Sequence, residues 1–384
     1  MDFALSEEQK SIYKTVKEFA AREIAPSAEE RDRKGDFFWE GWRKMGKMGL
    51  LGMPYPEEYG GGGAGALTTA LAMEAFTAGG GDSGTALSWG AHTILCGVPI
   101  WKLGTEEQKR KYLPALASGE TVGGFGLTEP EAGSDAASIK TSAVRRGDEW
   151  VLNGTKMFIT NGPIGDFFIV LAVSDKALGA KGGVSAFIVE KGFPGFSVGK
   201  ELDKMGNRTS PTSELIFDDC RVPAENLLGP EGWGFGAVGL ATLEWERAVM
   251  LAPCIGSMEY QLECCIRHAK ERVQFGKPIA QFQLVQDKLA QIKMYLEASR
   301  LLIYRTCWLK DQEQPAMVDA AIVKMFVGEA VNKVSEMAVQ VFGGYGYIRE
   351  YPVERAYRDA RLATLGAGTT EVQKVIVSRA LLKE

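Results

Sequence analysis

The spacing of apolar residues changes twice along this sequence, and these changes constrain the fold more than any other feature. From Leu5 to about Gly119, apolar residues recur mostly at helical spacing. Between Thr121 and about Pro230, short β-branched and aromatic runs are separated by glycine, asparagine and proline, which is typical of strands. Beyond Gly232 the helical spacing returns. This order indicates an α+β fold in which a β domain is inserted between two helical regions.

The two changes of pattern also predict the domain boundaries. Within the first helical region, Ser6 is typical of a helix start, and Pro26 is expected to end that helix. A second run, FFWEGWRKMGKMGL, predicts a helix that ends at Gly52. The strand-like runs are TSAVRR, EWVLNGTKMFIT, FFIVLAV, VSAFIVE and SELIFDD. The predicted domains are an N-terminal helical domain over 1–120, a middle β domain over 121–231 and a C-terminal helical domain over 232–384.

The overall charge gives no reason to expect a nucleic acid or an anionic membrane as a partner. The 384 residues include 49 acidic and 44 basic side chains, a formal net charge of −5, without a long run of either sign. No uninterrupted apolar run is long enough to cross a bilayer. The segment after Met1 lacks the zones of a secretory signal and the acid-poor character of a transit peptide. We therefore expect a soluble, cytoplasmic protein.

The cysteines and histidines do not form a metal-binding pattern. The six cysteines show no CxxC spacing, and two of them are adjacent in a helical run. This arrangement favours buried free thiols over a disulfide framework or metal ligation. With His92 and His268 as the two histidines, no metal site is expected. The cysteines are Cys96, Cys220, Cys254, Cys264, Cys265 and Cys307.

Two short segments in the β region carry groups suited to a flavin. The segment GLTEPEAGSD offers the hydroxyls of Thr128 and Ser134, and the amides around Gly133, on a bend after a strand. Such a surface can hydrogen-bond the edge of a planar heterocycle and a nearby phosphate. Alone, this segment is typical of an ordinary loop. The segment KMFITNG strengthens the interpretation, because Phe158 can pack on a flavin ring and Thr160 can hydrogen-bond it.

Other conspicuous features have simpler explanations. Two GxGxxG matches, at Gly60 to Gly65 and Gly234 to Gly239, lack the tight turn from strand to helix that a dinucleotide site requires. His92 is expected to pack or hydrogen-bond internally rather than to act in catalysis. Asp82 is expected to be a turn or N-cap residue rather than a second base.

Two later segments carry a specific resemblance to a known family. RVQFGKPIAQFQ begins at Arg272, and QVFGGYGYIREYPVERAYRDAR begins at Gln340. With the two earlier segments, they follow in the order and spacing of the acyl-CoA dehydrogenases, which the chain resembles over nearly its whole length. The resemblance implies the acyl-CoA dehydrogenase fold: an N-terminal helical domain, a middle β domain and a C-terminal four-helix-bundle domain.

The resemblance also implies a cofactor and partners. It points to FAD, an acyl-CoA substrate, an electron-transferring flavoprotein, and a homotetramer in which two subunits share each FAD. It further implies a role in fatty acid or amino acid catabolism. By the family's pattern, Arg272, Phe275, Gln340 and Gly344 would reach the FAD of a neighbouring subunit. The other residues implied in FAD binding are Phe125, Leu127, Thr128, Gly133, Ser134, Phe158, Thr160, Thr369 and Glu371.

Desaturation of an acyl thioester needs a base for the α-proton and an acceptor for the β-hydride. In many relatives the base is a Glu in a late motif, but here that motif reads LGAGTTEVQ and Ala367 occupies the position. The isovaleryl-CoA and long-chain branches instead place the Glu on an earlier helix, directly before an Arg. This sequence has Glu246 and Arg247 at that point. We therefore predict Glu246 as the catalytic base.

The surroundings of Glu246 in the sequence favour this role over that of a solvated helix residue. Glu244, two residues earlier, should point to another side of the helix and is the weaker candidate. The apolar neighbours of Glu246 are Leu240, Leu243, Val249 and Met250.

The resemblance also implies how substrate is held. Arg247 and Ser134 are expected at the substrate, with Arg247 near the CoA or pantetheine phosphate. A surface ion pair is the alternative for Arg247. Gly366, Ala367 and Gly368 remove bulk near the acyl site, so the space suits a branched or cyclic acyl group.

Three alternatives stay open at this stage. Resemblance to carrier-protein dehydrogenases, including prolyl dehydrogenases, appears in DSGTALSWGAH, LEWER and LLIYRTCWLKDQEQ. A non-enzymatic DNA-associated member of the fold would carry a basic extension or patch, which this sequence lacks. An oxidase that passes electrons to oxygen would share the same site residues.

Overall fold

A helical region, a β-sheet and a second helical region follow one another along the chain. The computed structural model describes residues 4–80 and 82–382, apart from the side chains of residues 237, 238, 240 and 241. The predicted α+β arrangement is confirmed. Within the described ranges, no helix is both long and apolar enough to cross a membrane.

Seven α-helices occupy the described part of the first region. They are α1 Glu7–Phe19, α2 Ala28–Lys34, α3 Trp39–Lys47, α4 Ala66–Ala78, α5 Ser83–Gly90, α6 Val98–Leu103 and α7 Glu106–Ser118. Ser6 caps α1 in a capping box with Gln9, as its position predicts. The predicted end of the second helix at Gly52 is wrong. Helix α3 ends at Lys47, because Gly49 takes a left-handed conformation (φ 74°) that a helix cannot continue.

An eight-stranded sheet forms the middle region. Its strands are β1 Gly123–Gly126, β2 Ser142–Arg146, β3 Glu149–Thr160, β4 Phe167–Val173, β5 Val184–Glu190, β6 Phe196–Glu201, β7 Thr212–Pro223 and β8 Leu227–Leu228. The strand order is β6-β7-β3-β2-β4-β5-β8, and β1 pairs in parallel with β4. The five predicted runs form β2, β3, β4, β5 and β7, and β1 is the strand before the predicted bend, whereas β6 and β8 were not predicted. The sequence of β1, GGFG, has no local strand pattern, and the strand exists through pairing with β4.

Long helices dominate the third region. They are α8 Leu240–Ala248, α9 Ala252–Glu271, α10 Gln283–Asp311, α11 Met317–Phe342, α12 Pro352–Ala360 and α13 Thr370–Leu382, and a hairpin of β9 Val273–Gln274 and β10 Lys277–Pro278 follows α9. Helices α9, α10 and α11 pack against one another, and α13 packs on α11. Helix α4 packs on α9 and α10, so the two helical regions share one apolar core. All six cysteines are free; five are buried and Cys254 is half-buried.

A buried network of charges joins α4 to the C-terminal helices. Glu74 on α4 is fully buried, and Arg300 on α10 donates to its Oε1 from Nε and Nη2, at 3.0 and 2.8 Å. Tyr304 donates to Glu74 Oε2 at 2.8 Å. Arg300 also pairs with Glu259 on α9, and Lys17 on α1 donates to Glu259 at 2.8 Å. A buried carboxylate needs such partners, so this network fixes how the two helical regions dock.

Candidate active site

The loop after β1 is fixed to the neighbouring strand by a buried ion pair. Lys156 on β3 donates from Nζ to Glu129 Oε1 at 2.7 Å and to the Leu127 carbonyl at 3.0 Å. The backbone amides of Lys140 and Thr141 donate to the two oxygens of Glu129. Burial lowers the pKa of Lys156 to about 8, against the opposing effect of Glu129. Neither residue is among those predicted for the site, although both lie within the two flavin-like segments.

The loop presents its polar groups beside β3. The amide of Met157 donates to the Thr128 carbonyl at 2.8 Å, which joins the loop to the strand next to Phe158. The Thr128 side chain is half-buried, and Gly133 and Ser134 are exposed. Phe125 and Leu127 are half-buried and pack against the main core.

Phe158 has an unusual backbone conformation. Its φ is 61°, which is an outlier for a bulky side chain, and the pairing of β3 with β7 shifts register between Lys156 and Ile159. The irregularity leaves the Phe158 ring 65% exposed, while Thr160 is half-buried and pairs with Thr212. Strain of this kind is retained where the surroundings enforce it, often at binding sites. The ring of Phe158 is therefore an exposed aromatic surface beside the loop.

Glu246 lies on α8 in a water-poor setting. The adjacent Trp245 and Ala248 are buried, and Glu246 itself is half-buried. Burial raises the pKa of its carboxyl to about 7, and Arg247 and Lys324 partly oppose that rise. Glu246 has no hydrogen bond or salt bridge to any residue that the structure describes, whereas Glu244 pairs with Lys310 on α10. Glu246 is thus the carboxylate of α8 whose oxygens are not engaged.

The predicted apolar neighbours of Glu246 are only partly buried. Val249 is buried, whereas Leu243 and Met250 are half-buried. The side chain of Leu240 lies outside the described residues.

Arg247 connects α8 to the glycine-rich turn before α13. It is buried, and its Nε donates to the Ala367 carbonyl at 3.3 Å, so the alternative of a surface ion pair is wrong. Gln373 donates from Nε2 to the carbonyls of Ala367 and Gly368, at 3.1 and 3.0 Å. Ala367 and Gly368 both have positive φ, of 57° and 81°. The structure therefore brings Arg247 together with two of the three small residues predicted at the acyl site; the third, Gly366, is exposed beside them.

A second predicted group of residues lies at the far end of α11. A groove of about 480 Å³ is lined by Arg272, Gly344 and Tyr345 among others, and the Arg272 guanidinium lies 5.2 Å from the centre of the Tyr345 ring. Gln340 is exposed on the last turns of α11, and Phe275 is 94% exposed in the hairpin after α9. The structure therefore brings these four predicted residues to one surface.

The two groups are far apart within one chain. Lys324, which lies near Glu246, and Gln340 are sixteen positions apart on α11, a rise of about 24 Å at 1.5 Å per residue. By contrast, α8 and β1 both pack on the π-helical turn Ala91–Gly97. Glu246 and the flavin-like loop thus lie on one side of the molecule, and the groove lies on another. Thr369 and exposed Glu371 stand at the start of α13, next to the glycine-rich turn.

The simpler explanations of two residues are confirmed. His92 accepts the Gly123 amide at Nδ1 (3.1 Å), and its Nε2 donates to the Leu116 carbonyl (3.0 Å). Burial lowers the pKa of His92 to about 4, which keeps the ring neutral. Asp82 is the N-cap of α5, and its Oδ1 accepts the Thr85 amide at 2.6 Å. In the described part of the chain, no group of three His, Cys, Asp or Glu side chains could hold a metal.

Comparison with known proteins identifies the family. Three family models match: the acyl-CoA dehydrogenase N-terminal domain at residues 6–120, the middle domain at 124–220 and the C-terminal domain at 232–382. The chain belongs to the acyl-CoA dehydrogenase family. This membership makes it an FAD-dependent oxidoreductase. The exact boundaries of the three domains stay predictions.

Similar acyl-CoA dehydrogenases include enzymes with different acyl groups. The short-chain-specific acyl-CoA dehydrogenase of Clostridium acetobutylicum is 44% identical, over 98% of this chain and 99% of that protein. The mitochondrial isovaleryl-CoA dehydrogenase of Pongo abelii is 43% identical, over 98% and 89%.

Solved structures with the same fold include both kinds of relative that the sequence suggests. A chain from the electron transferring flavoprotein structure of Acidaminococcus fermentans is 45% identical over 100% of both chains, with a TM-score of 0.97. The prolyl acyl carrier protein oxidase AnaB is 38% identical over 98% and 100%, with a TM-score of 0.96. The structure of PigA with FAD and proline is 36% identical over 99% of both chains, also with a TM-score of 0.96.

The residues of this acyl-CoA dehydrogenase fit FAD. A flavin needs a flat apolar surface and hydrogen-bonding groups at its edge, and the exposed Phe158 ring lies beside the anchored loop that carries Thr128 and Ser134. The remainder of the cofactor carries a pyrophosphate and an adenine. Arg272 and the adjacent aromatic side chains of the groove suit such a group through charge and stacking.

Proposed function

We propose that this acyl-CoA dehydrogenase desaturates the α,β-bond of an acyl-CoA thioester, with Glu246 as the base that takes the α-proton. The observation that carries this proposal is a half-buried carboxylate with a pKa raised to about 7 and no engaged oxygen, next to Arg247 and the glycine-rich turn. A base whose pKa is near the working pH is largely ionised and still binds a proton strongly enough to remove it from the substrate. When bound, FAD supplies the acceptor for the hydride that leaves the β-carbon.

The other site residues receive roles that agree with their positions. Thr128, Phe158 and Thr160 would hold the flavin. Ser134 would contact both the flavin and the substrate, and Arg247 would lie near the CoA or pantetheine phosphate. The remaining residues predicted to contact FAD in the same subunit are Phe125, Leu127, Gly133, Thr369 and Glu371.

We propose that the groove at the end of α11 serves the FAD of a neighbouring subunit, within a homotetramer. The distance of about 24 Å along α11 supports this proposal, because Arg272 and Gly344 face a surface remote from Glu246 in the same chain. Phe275 and Gln340 would contribute to the same contact from their exposed positions. An exposed aromatic side chain next to a groove that contains an arginine suits contact with a cofactor better than contact with water.

For the acyl group, we propose a short branched or cyclic chain. Gly366, Ala367 and Gly368 carry little or no side chain at the turn that Arg247 of α8 contacts, and similarity to isovaleryl-CoA and short-chain dehydrogenases supports this size. Similarity to the Acidaminococcus structure supports an electron-transferring flavoprotein as the electron acceptor. A cytoplasmic location and a catabolic pathway stay predictions.

A carrier-tethered acyl or prolyl group is the second candidate substrate. The similarity to AnaB and to PigA with proline favours it, because both resemble the whole chain. The same base and cofactor would serve either substrate, so the two candidates differ in what carries the thioester.

Anaerobic titration of the purified protein with isovaleryl-CoA tests the function. We expect the absorbance of the bound oxidised flavin to bleach promptly, because the α-proton meets an ionised base and the β-hydride an oxidised cofactor. Butyryl-CoA and a long straight-chain acyl-CoA serve as comparisons, and the long chain should react more slowly. The reduced protein should then reduce an electron-transferring flavoprotein and consume little oxygen.

Each other outcome has a definite meaning. A flavin that stays oxidised with every acyl-CoA but bleaches with a prolyl carrier protein would establish the second candidate. Rapid oxygen consumption would indicate an oxidase. No reduction by any thioester would contradict the proposed activity.

The rate of flavin reduction should rise with pH through about 7. The base is active when ionised, and burial raises the pKa of Glu246 to about 7. Below that pH the carboxyl is protonated, and the rate should fall about tenfold per pH unit. Stopped-flow measurement of flavin reduction between about pH 5 and pH 9 would show this dependence. A rate that does not change below pH 7 would contradict it.

A further inference from the structure

Lys324 is a buried cation near the middle of α11. Its side chain is 1% exposed, and its Nζ has no hydrogen-bond partner among the residues that the structure describes. Helices α8, α9 and α13 all pack against α11. An ammonium group in such a place is strongly unfavourable unless an opposite charge compensates it.

Among the described ionisable groups with the largest effect on Lys324, three cannot fully provide this compensation. Cys254 on α9 stays a neutral thiol, because burial raises its pKa to about 12. Glu371 on α13 is exposed, so solvent screens its charge. Arg247 carries the same sign as Lys324 and donates to the Ala367 carbonyl. Glu246 on α8 is the remaining group, and it is a half-buried carboxylate.

The groups that face Glu246 lead to the same pair. Arg247 and Lys324 both favour its ionised form. Other ionisable residues on elements that pack on α8 are less suited to this task. Lys310 of α10 is paired with Glu244, His92 is neutral, and Lys102 of α6 lies over the Trp101 ring at 3.6 Å.

We propose that Lys324 is a positioning residue for the reaction: together with Arg247, it is a buried counter-charge that keeps Glu246 ionised, so that this carboxylate can accept the α-proton in neutral solution. This inference rests on the proposed role of Glu246 as the base. Burial drives both groups toward their neutral forms, and each charge opposes that tendency in the other. Burial lowers the pKa of Lys324 to about 8, so the two groups are charged together near neutral pH.

A pH profile of flavin reduction in Lys324→Met tests the proposal. Without the cation, the carboxyl should hold its proton more tightly, so the acid-side midpoint should move up by about one pH unit. The rate near pH 6 should fall about tenfold, and the rate near pH 9 should change little. Lys324→Arg should restore most of the original profile because it keeps the positive charge. If Lys324→Met does not fold, Lys324→Gln is measured instead, and the same shift of the midpoint is expected.

Lys204→Met is the matched control. Lys204 is another half-buried lysine whose pKa burial lowers to about 8, but it lies in the middle region and donates to Thr212 Oγ1 at 3.0 Å. Its replacement should leave the midpoint in place. A uniform loss of rate at every pH in Lys324→Met, without a shift, would overturn the proposal.

A stability cycle tests the same pair without using activity. The free energies of unfolding of Lys324→Met, Glu246→Gln and the double variant are compared with that of the FAD-loaded wild type near pH 7.5. We expect the double variant to lose less than the sum of the two single losses, since each single change leaves a buried charge uncompensated. Additive losses would overturn the pairing. If the cycle is non-additive while Glu246→Gln still turns over substrate, the electrostatic coupling of the two residues stands and the assignment of the base fails.

Discussion

Glu246→Gln should abolish reduction of the bound FAD by substrate while the cofactor stays bound. Glutamine has nearly the same shape, so it preserves the packing of α8, but its amide cannot accept the α-proton. Loss of a general base typically reduces rate about 10²–10⁴-fold. Anaerobic stopped-flow reduction gives the rate, and the visible spectrum of the purified variant gives the FAD content.

Glu244→Gln is the control for this substitution, because it changes a carboxylate two residues away on the same helix. Glu244 is engaged by Lys310, so its replacement should alter the rate of reduction only a few-fold. Equal losses in both variants would indicate damage to α8. An unchanged rate in Glu246→Gln would remove that residue from the role of base.

Arg300→Met should lower the free energy of unfolding more than the same substitution at an exposed arginine. It removes two hydrogen bonds to the fully buried Glu74 and leaves that carboxylate without its cation. Breaking a buried ion pair from one side costs about 3–5 kcal/mol. Denaturant unfolding of the FAD-loaded protein measures the loss. Because the network holds α4 to α9 and α10, weakened docking of the two helical regions should accompany it.

Arg305→Met provides a control on the same helix. Arg305 pairs with Asp319, but its side chain is 56% exposed, so the loss of the pair should cost less than about 1 kcal/mol. Adding Glu74→Gln to Arg300→Met should recover part of the stability, since it removes the uncompensated charge. Similar losses for the two arginine variants would contradict the importance of the buried network.

Local sequence predicted those elements whose own residues determine them. The runs EWVLNGTKMFIT and FFIVLAV coincide with β3 and β4, because β-branched and aromatic residues mark a strand wherever it pairs. Strand β1 was not predictable in this way, since its four residues GGFG have no strand preference of their own. The error at the end of α3 has a similar cause. Both Gly49 and Gly52 are residues that can end a helix, and the structure shows that Gly49 follows its end.

The candidate site shows the same division. The sequence predicts Glu246 as the base because the family resemblance places a Glu directly before an Arg at this point and Ala367 cannot act as a base, and this role stays a proposal. Lys324 could not be predicted, since a single lysine in an apolar helical run gives no sign of which helix it faces. The Glu129–Lys156 pair joins residues 27 positions apart, and only the arrangement of the loop on β3 brings them together. These omitted residues position the site, whereas the predicted ones are proposed to contact ligands.

The turn that carries Ala367 has a consequence for substitutions at that position. Arg247 and Gln373 hold this turn by its backbone carbonyls and make no use of the Ala367 side chain. The backbone of the turn is therefore held in place independently of the side chain at position 367. Because these contacts use the backbone, another side chain at position 367 that tolerates the positive φ of 57° would keep both of them.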